Sequence, residues 1–251
     1  MKRLENKVAI VTGASKGIGA GIAKVYASEG AKVVVNYASD KDGAERVVKS
    51  IKENGGTAIA VQGDVSKVTE VTKLFEETIT AFGGFNILVN NAGIYVGSSI
   101  DDFTEDSFHK QFNINVLGPL LAINQSVKHF GTAGGTIINI SSVVSTLPLP
   151  MMSVYSATKA ALDSITVALS KEFSGRNIRI NSIQPGGVKT EGTITAGITG
   201  SDIEKNIIDN TPLGRIGQPE DIAKVAVFLA SEDAAWITGE KIAVSGGVFG
   251  M

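Results

Sequence analysis

Cysteine does not occur in this 251-residue chain, so disulfides and thiolate-held metals are excluded. Histidine occurs only at His109 and His129, inside one helical stretch whose faces suit packing or solvent better than catalysis. No apolar run reaches the roughly 18 residues of a membrane span. The opening Met1-Lys-Arg-Leu-Glu-Asn lacks a signal-peptide core. Neither sign of charge is in excess: the net charge is −2 and the lysines and arginines are scattered, which argues against nucleic acid or membrane as a partner. Pro/Ser-rich linkers, internal repeats and low-complexity tracts are missing too. The expectation is one cytoplasmic domain over residues 1–251, able to bury a sizeable core because 43% of its residues are hydrophobic.

Short apolar, β-branched runs are plentiful. Strands are expected at Val8–Thr12, Lys32–Asn36, Ala58–Gln62, Ile87–Asn90, Thr136–Ile140, Ile178–Ser182 and Lys241–Val244. Helical stretches separate most of them, at Ile18–Glu29, Asp42–Asn54, Val68–Phe82, Asp106–Phe130, Tyr155–Phe173 and Pro219–Leu229. Alternation of this kind means an α/β chain with a doubly wound, Rossmann-type parallel sheet covered by helices on both faces.

Tyr155 and Lys159 stand four residues apart in Tyr155-Ser-Ala-Thr-Lys159 and share one helix face. At roughly 4 Å and an effective dielectric of about 20, the ammonium would favour the phenolate by about 4 kcal/mol. That predicts a tyrosine pKa lowered by about two to three units, within reach of acid–base work near neutrality. Ser142 closes the apolar run Thr136–Ile140, where a strand would deliver its hydroxyl to the same place.

The first strand leads into Gly13-Ala-Ser15-Lys16-Gly17-Ile18-Gly19 and then a helix. Glycines permit a tight turn there, and the unpaired N–H groups and dipole of the helix start favour a phosphate. The same residues contain Gly-x-Ser-x-Gly, the nucleophile elbow of hydrolases. A Ser15 hydrolase is disfavoured, because neither histidine is placed to serve it and no preceding loop offers an oxyanion donor.

Taken together, Thr12-Gly-Ala-Ser-Lys-Gly-Ile-Gly19, Gly63-Asp-Val65, Asn90-Asn-Ala-Gly93, Asn115-Val-Leu-Gly118, Ser142 with Tyr155-x-x-x-Lys159, Pro185-Gly186 with Thr190, and Trp236-Ile-Thr-Gly239 resemble the short-chain dehydrogenases/reductases from about Leu4 to Phe249. The resemblance implies a seven-stranded sheet of order 3-2-1-4-5-6-7 and catalysis by Asn115, Ser142, Tyr155 and Lys159, with Asn115 anchoring a proton-relay water. It further implies that Gly13, Gly17 and Gly19 hold the pyrophosphate of a nicotinamide dinucleotide, Asp64 and Val65 the adenine, Asn90 and Gly93 the ribose region, and Thr190 the carboxamide. Ser15, Ile18, Ala92, Pro185, Gly186 and Val188 join them as cofactor contacts, as do Tyr155 and Lys159. Of the pair Asn90-Asn91, Asn91 is expected only to stitch strands. A cofactor-sensing protein without turnover is the alternative of another class, and the intact Asn-Ser-Tyr-Lys set argues against it.

NADP(H) is expected over NAD(H): the second strand ends at neutral Asn36 where an acidic residue would bind the ribose hydroxyls, and Lys16 and Ser39 can reach a 2′-phosphate. Leu147, Leu149, Met151, Met152 and Ile194 favour an apolar ketone or oxoester, reversibly converted to the secondary alcohol, with Tyr95 closing one side and 187–211 as a lid. A 3-oxoacyl-carrier-protein reductase and a sugar or polyol dehydrogenase are the alternatives. Arg176 suits carrier-protein docking, whereas Thr132-Ala-Gly-Gly135 offers nothing basic. By resemblance the protein is a homotetramer, pairing through the helices 106–130 and 155–173 and through the tail Val244–Met251.

Overall fold

The computed structural model describes residues 2–248. Seven strands pair in parallel in the order β3-β2-β1-β4-β5-β6-β7, as the resemblance implies. They are β1 (Val8–Val11), β2 (Lys32–Tyr37), β3 (Thr57–Gln62), β4 (Ile87–Asn90), β5 (Gly135–Ile140), β6 (Ile178–Pro185) and β7 (Lys241–Val244). The central strands are apolar on both faces because helices cover both. On one side α1 (Gly17–Ser28), α2 (Lys41–Glu53) and α9 (Pro219–Ala230) pack over Val33, Val35, Val89 and Ile138. On the other, α3 (Val68–Phe82) and α5 (Gly118–His129) cover Ile10, Val34, Leu88 and Ile137, and α6 (Ser153–Glu172) packs beside β6. The order reverses between β1 and β4, and the carboxyl ends of those strands open a crevice there.

Three differences from the sequence reading bear on function. The helix expected over 106–130 is α4 (Glu105–Phe112) and α5 joined by a π-helical segment, Asn113–Leu117, which inserts Asn115 into the interior and leaves Asn113 exposed. The segment 187–211 contains two short helices, α7 (Glu191–Thr195) and α8 (Asp202–Asp209), standing at the cleft. Strand β6 runs to Pro185, so Pro185 and Gly186 leave the sheet directly at the crevice. At the opposite, amino-terminal end of the strands, Trp236 precedes β7 and is fully exposed. Of the tail Val244–Met251, Phe249, Gly250 and Met251 lie outside the described residues.

Candidate active site

Between β1 and α1 the chain turns at Gly13 and Gly17, with φ of 60° and 59°. A Cβ on Gly13 would sit 2.8 Å from the Ala92 Cα, so the turn requires glycine twice over, for conformation and for space. Thr12 and Asn91 pin it to β4: the Asn91 and Ala92 N–H groups both donate to Thr12 Oγ1 at 3.0 Å, and Asn91 Nδ2 donates to the carbonyls of Thr12 and Gly13. Asn91 thus stitches strands as expected, and it is the ribose contact expected of Asn90 that is not seen. Asn90 is the buried stitch, donating to Asn139 Oδ1 at 2.9 Å; Asn91 lines the crevice while holding the turn.

Gly17 N–H, at the start of α1, donates to the Glu191 carboxylate at 2.8 Å. The carboxylate stands where a phosphate oxygen would, and shows that this helix end attracts an anion. The turn thus fits a dinucleotide pyrophosphate once Glu191 moves aside. A groove of about 380 Å³ continues from it past Ser15, Lys16, Ser39, Asp64 and Val65. Lys16 and Ser39 are exposed there; Asp40 also lines the groove, with its Oδ1 capping α2 through Gly43 N–H. Asp64 caps its own turn through the Ser66 N–H and hydroxyl, yet also lines the groove.

Asn36 requires a correction. It is 1% exposed, accepts from Gly13 N–H at 3.2 Å and donates to the carbonyls of Val61 and Gly63. Although it lines the groove, all of its amide is spent tying β2 to β3 and the glycine turn. A carboxylate at this position would face two carbonyl oxygens.

The second cavity, of about 600 Å³, brings Ser142, Tyr155 and Lys159 together with Gly93, Pro185, Gly186, Val188 and Thr190. Ser142 follows β5 as an extended residue, and its Oγ accepts from Val144 N–H at 3.4 Å. Asn115 is fully buried; its amide bonds both the N–H and C=O of Ile94 at 2.8 Å and donates to Thr158. A Cβ on Gly93 would lie 3.3 Å from Asn115 Oδ1 and 3.5 Å from Lys159 Nζ, so this glycine keeps open a gap bordered by both groups.

The expected electrostatics of the Tyr155–Lys159 pair are not observed. Lys159 Nζ donates to the Ile140 carbonyl at 2.8 Å and lies 5.7 Å from the Tyr155 ring centre. Loss of solvent around the phenol outweighs the pull of the nearby Ser142 hydroxyl, pushing Tyr155 up to about 12. Burial pushes Lys159 down to about 8, against the favourable charge of Asp163. The tyrosine is a held acid here rather than an incipient phenolate.

The substrate residues divide. Tyr95 meets Tyr155 edge to face at 5.7 Å, and it lines the cavity with Leu149 and Met152. Leu147 and Ile194 are not among the cavity walls and are exposed: the one-turn α7 turns Thr193 inward and Ile194 outward. Ile94, Val144, Ile198 and Ile207 are wall residues that the sequence reading missed. His109 is exposed against Glu105 and His129 is exposed on α5, so neither serves Ser15. Arg176 donates to the Val127 carbonyl.

Residues 13–249 match the family model described as Enoyl-(Acyl carrier protein) reductase. The chain is 54% identical to an uncharacterised oxidoreductase of Methylorubrum extorquens, over 99% of this chain and 100% of that one. It is 38% identical to a versicolorin reductase of Emericella nidulans, over 98% and 97%. The crystal structure of the angucycline C-6 ketoreductase LanV with bound NADP superposes with a TM-score of 0.92 at 34% identity, over 98% and 97% of the two chains. With this sheet order and these relatives, the chain belongs to the short-chain dehydrogenase/reductase family of NAD(P)-dependent oxidoreductases.

Proposed function

We propose that the protein is an NADPH-dependent carbonyl reductase that converts an apolar ketone to a secondary alcohol. The observation that carries this is the opening of the Ser142, Tyr155 and Lys159 side chains onto a cavity walled by Ile94, Tyr95, Val144, Leu149 and Met152 and continuous with the phosphate turn. When bound, the nicotinamide supplies a hydride to the carbonyl carbon. Tyr155 gives its proton to the oxygen that becomes an alkoxide, and the Ser142 hydroxyl donates to the same oxygen. The buried ammonium of Lys159 compensates the phenolate left behind. The apolar walls keep water from competing for that proton. Asn115 fixes Ile94 and borders the gap at Gly93, where a water could pass a proton to Lys159.

Relatives named versicolorin reductase and angucycline C-6 ketoreductase support a ketone held in a broad apolar pocket. Oxidation of NADPH should be followed with cyclic aryl ketones, oxoesters, acyl thioesters and sugars. Turnover is expected with the first two classes; turnover confined to sugars or thioesters defeats the reading.

The preference for NADPH rests on Lys16 and Ser39 exposed in the groove beside the phosphate turn. A charge-assisted bond to a phosphate contributes about 1.5–3 kcal/mol. Lys16→Ala is therefore expected to lower the NADPH-to-NADH ratio of kcat/KM by about tenfold or more. A wild-type preference for NADH, or an unchanged ratio, removes the assignment. Asn36→Asp is the wrong probe, because it breaks the strand ties described above.

Assembly as a homotetramer is supported by the apolar side chains that α5 and its approach leave exposed, Leu117 and Leu120 among them. Light scattering should give four times the 26.1 kDa chain mass; the mass of a single chain refutes it.

A further inference from the structure

Asp163 is a buried carboxylate that the mechanism above leaves unused. It lies one turn beyond Lys159 on α6, is 5% exposed, and accepts from the Ser182 hydroxyl at 2.6 Å and from Gln184 Nε2 at 2.7 Å. Both donors are neutral, and a buried carboxylate with neutral partners calls for a cation nearby. Lys159, 4% exposed and bonded to a neutral carbonyl, is a buried cation one helical turn away, coupled to Asp163 through space rather than by a direct contact.

Few other ionisable groups compete. Tyr155 and Tyr95 border Lys159 at the cavity. Strand β5, the π-helical segment and the turn Val143–Ser145 carry no charged residue. The one charged residue of β6, Arg179, directs its guanidinium to Thr136, Ser231 and Ile237. Glu105, Asp106, His109 and Lys110 of α4 are all exposed.

We propose that Asp163 is a positioning residue for the reduction, its charge keeping the proton on Lys159 while its two hydrogen bonds lock α6 to the strand that delivers Pro185 and Gly186. Gln184 Nε2 also donates to Ser145 Oγ at 2.8 Å, so the same carboxylate steadies the turn that begins at Ser142. Two pieces of the site thus meet at one buried anion, the helix of Tyr155 and Lys159 and the strand leading to Gly186, and Gln184 links the turn of Ser142 to it. The direction of the Lys159 shift agrees, since Asp163 raises what burial lowers. The inference rests on the reductase reading above.

Asp163→Asn tests it. The amide oxygen can accept from Gln184 and the amide nitrogen can donate to Ser182, so both bonds have replacements while the charge is lost. The ammonium form of Lys159 is the working one, so wild-type kcat/KM falls as pH rises through its pKa. Without the carboxylate this basic limb should move to lower pH by about half a unit or more, about a threefold loss of kcat/KM above the limb. Asp163→Glu keeps the charge and should leave the limb in place. An unmoved limb in folded Asp163→Asn overturns the proposal, because a purely structural role would lower Tm without shifting the profile. Should Asp163→Asn not fold, Lys159→Met is compared with Lys159→Met/Asp163→Asn. Once the cation is gone, losing the anion should leave Tm equal or higher, and a lower Tm in the double variant overturns the proposal. This thermal comparison needs no turnover, so a protein that reduces no ketone would sink the reductase reading and leave the charge pairing separately testable.

Discussion

Tyr155→Phe is expected to lower kcat for the proposed ketone reduction by about a thousandfold while NADPH binding stays within about twofold. General acid catalysis contributes about 10²–10⁴ in rate, and the middle of that range corresponds to about 4 kcal/mol of barrier. The phenyl ring keeps the edge contact with Tyr95 and the packing of α6, so the loss isolates the proton. With its pKa at about 12, the hydroxyl is protonated throughout the neutral range, and reduction should not depend on Tyr155 ionisation below about pH 10. Stopped-flow single turnover and nucleotide titration separate the two parameters. Survival of kcat within about tenfold would mean that another group supplies the acid.

Lys159→Met damages two things at once. Methionine keeps the apolar stem but removes the donor to the Ile140 carbonyl and the charge beside Tyr155. On the proposed reading Lys159 would hold the nicotinamide ribose as well as offset the phenolate left after proton transfer, so KM for NADPH is expected to rise about tenfold and kcat to fall by about a hundredfold. The pH profile reports the same group. Lys159 is pushed down to about 8, so it is charged below that pH and neutral above it. Wild-type activity should fall as pH rises through about 8, and the variant should lack that limb. A change in KM alone, or in kcat alone, contradicts the double role.

Strands were legible because buried parallel strands are written as unbroken β-branched runs; Val33-Val-Val35 could hardly be anything else. Helix α7 was not legible, since 187–200 is rich in glycine and threonine, whereas α8 does carry helical marks, a Ser201 cap, Asp202 and Glu204 in the first turn and Asn206, Ile207 and Asn210 on one face, that the lid reading passed over. The π-helical segment leaves no compositional mark, being a shift of hydrogen-bond partner rather than of residue type. The place of Asn90 was not legible for a related reason. Successive side chains near a strand end point to opposite sides, so a one-residue choice decides which amide meets Asn139 and which meets the crevice. Asn36 is expected at the ribose because it ends the second strand, where an acidic residue would bind the ribose hydroxyls, yet its partners come from Val61, Gly63 and Gly13, distant in sequence. The i, i+4 spacing correctly put Lys159 beside Tyr155. It could not foresee the Ile140 carbonyl that turns the ammonium aside, or the desolvation that drives the phenol upward.

The chain has one tryptophan, Trp236, and it is already bathed in water in the folded protein. Its emission should therefore sit near the red limit for indole in both native and denatured chains, and a spectral shift would be a blunt gauge of melting. The same side chain becomes a sharp gauge of assembly if subunits close over it, because only burial could move its emission to the blue. Dilution series read at this residue would then follow association, while unfolding is better followed by backbone circular dichroism.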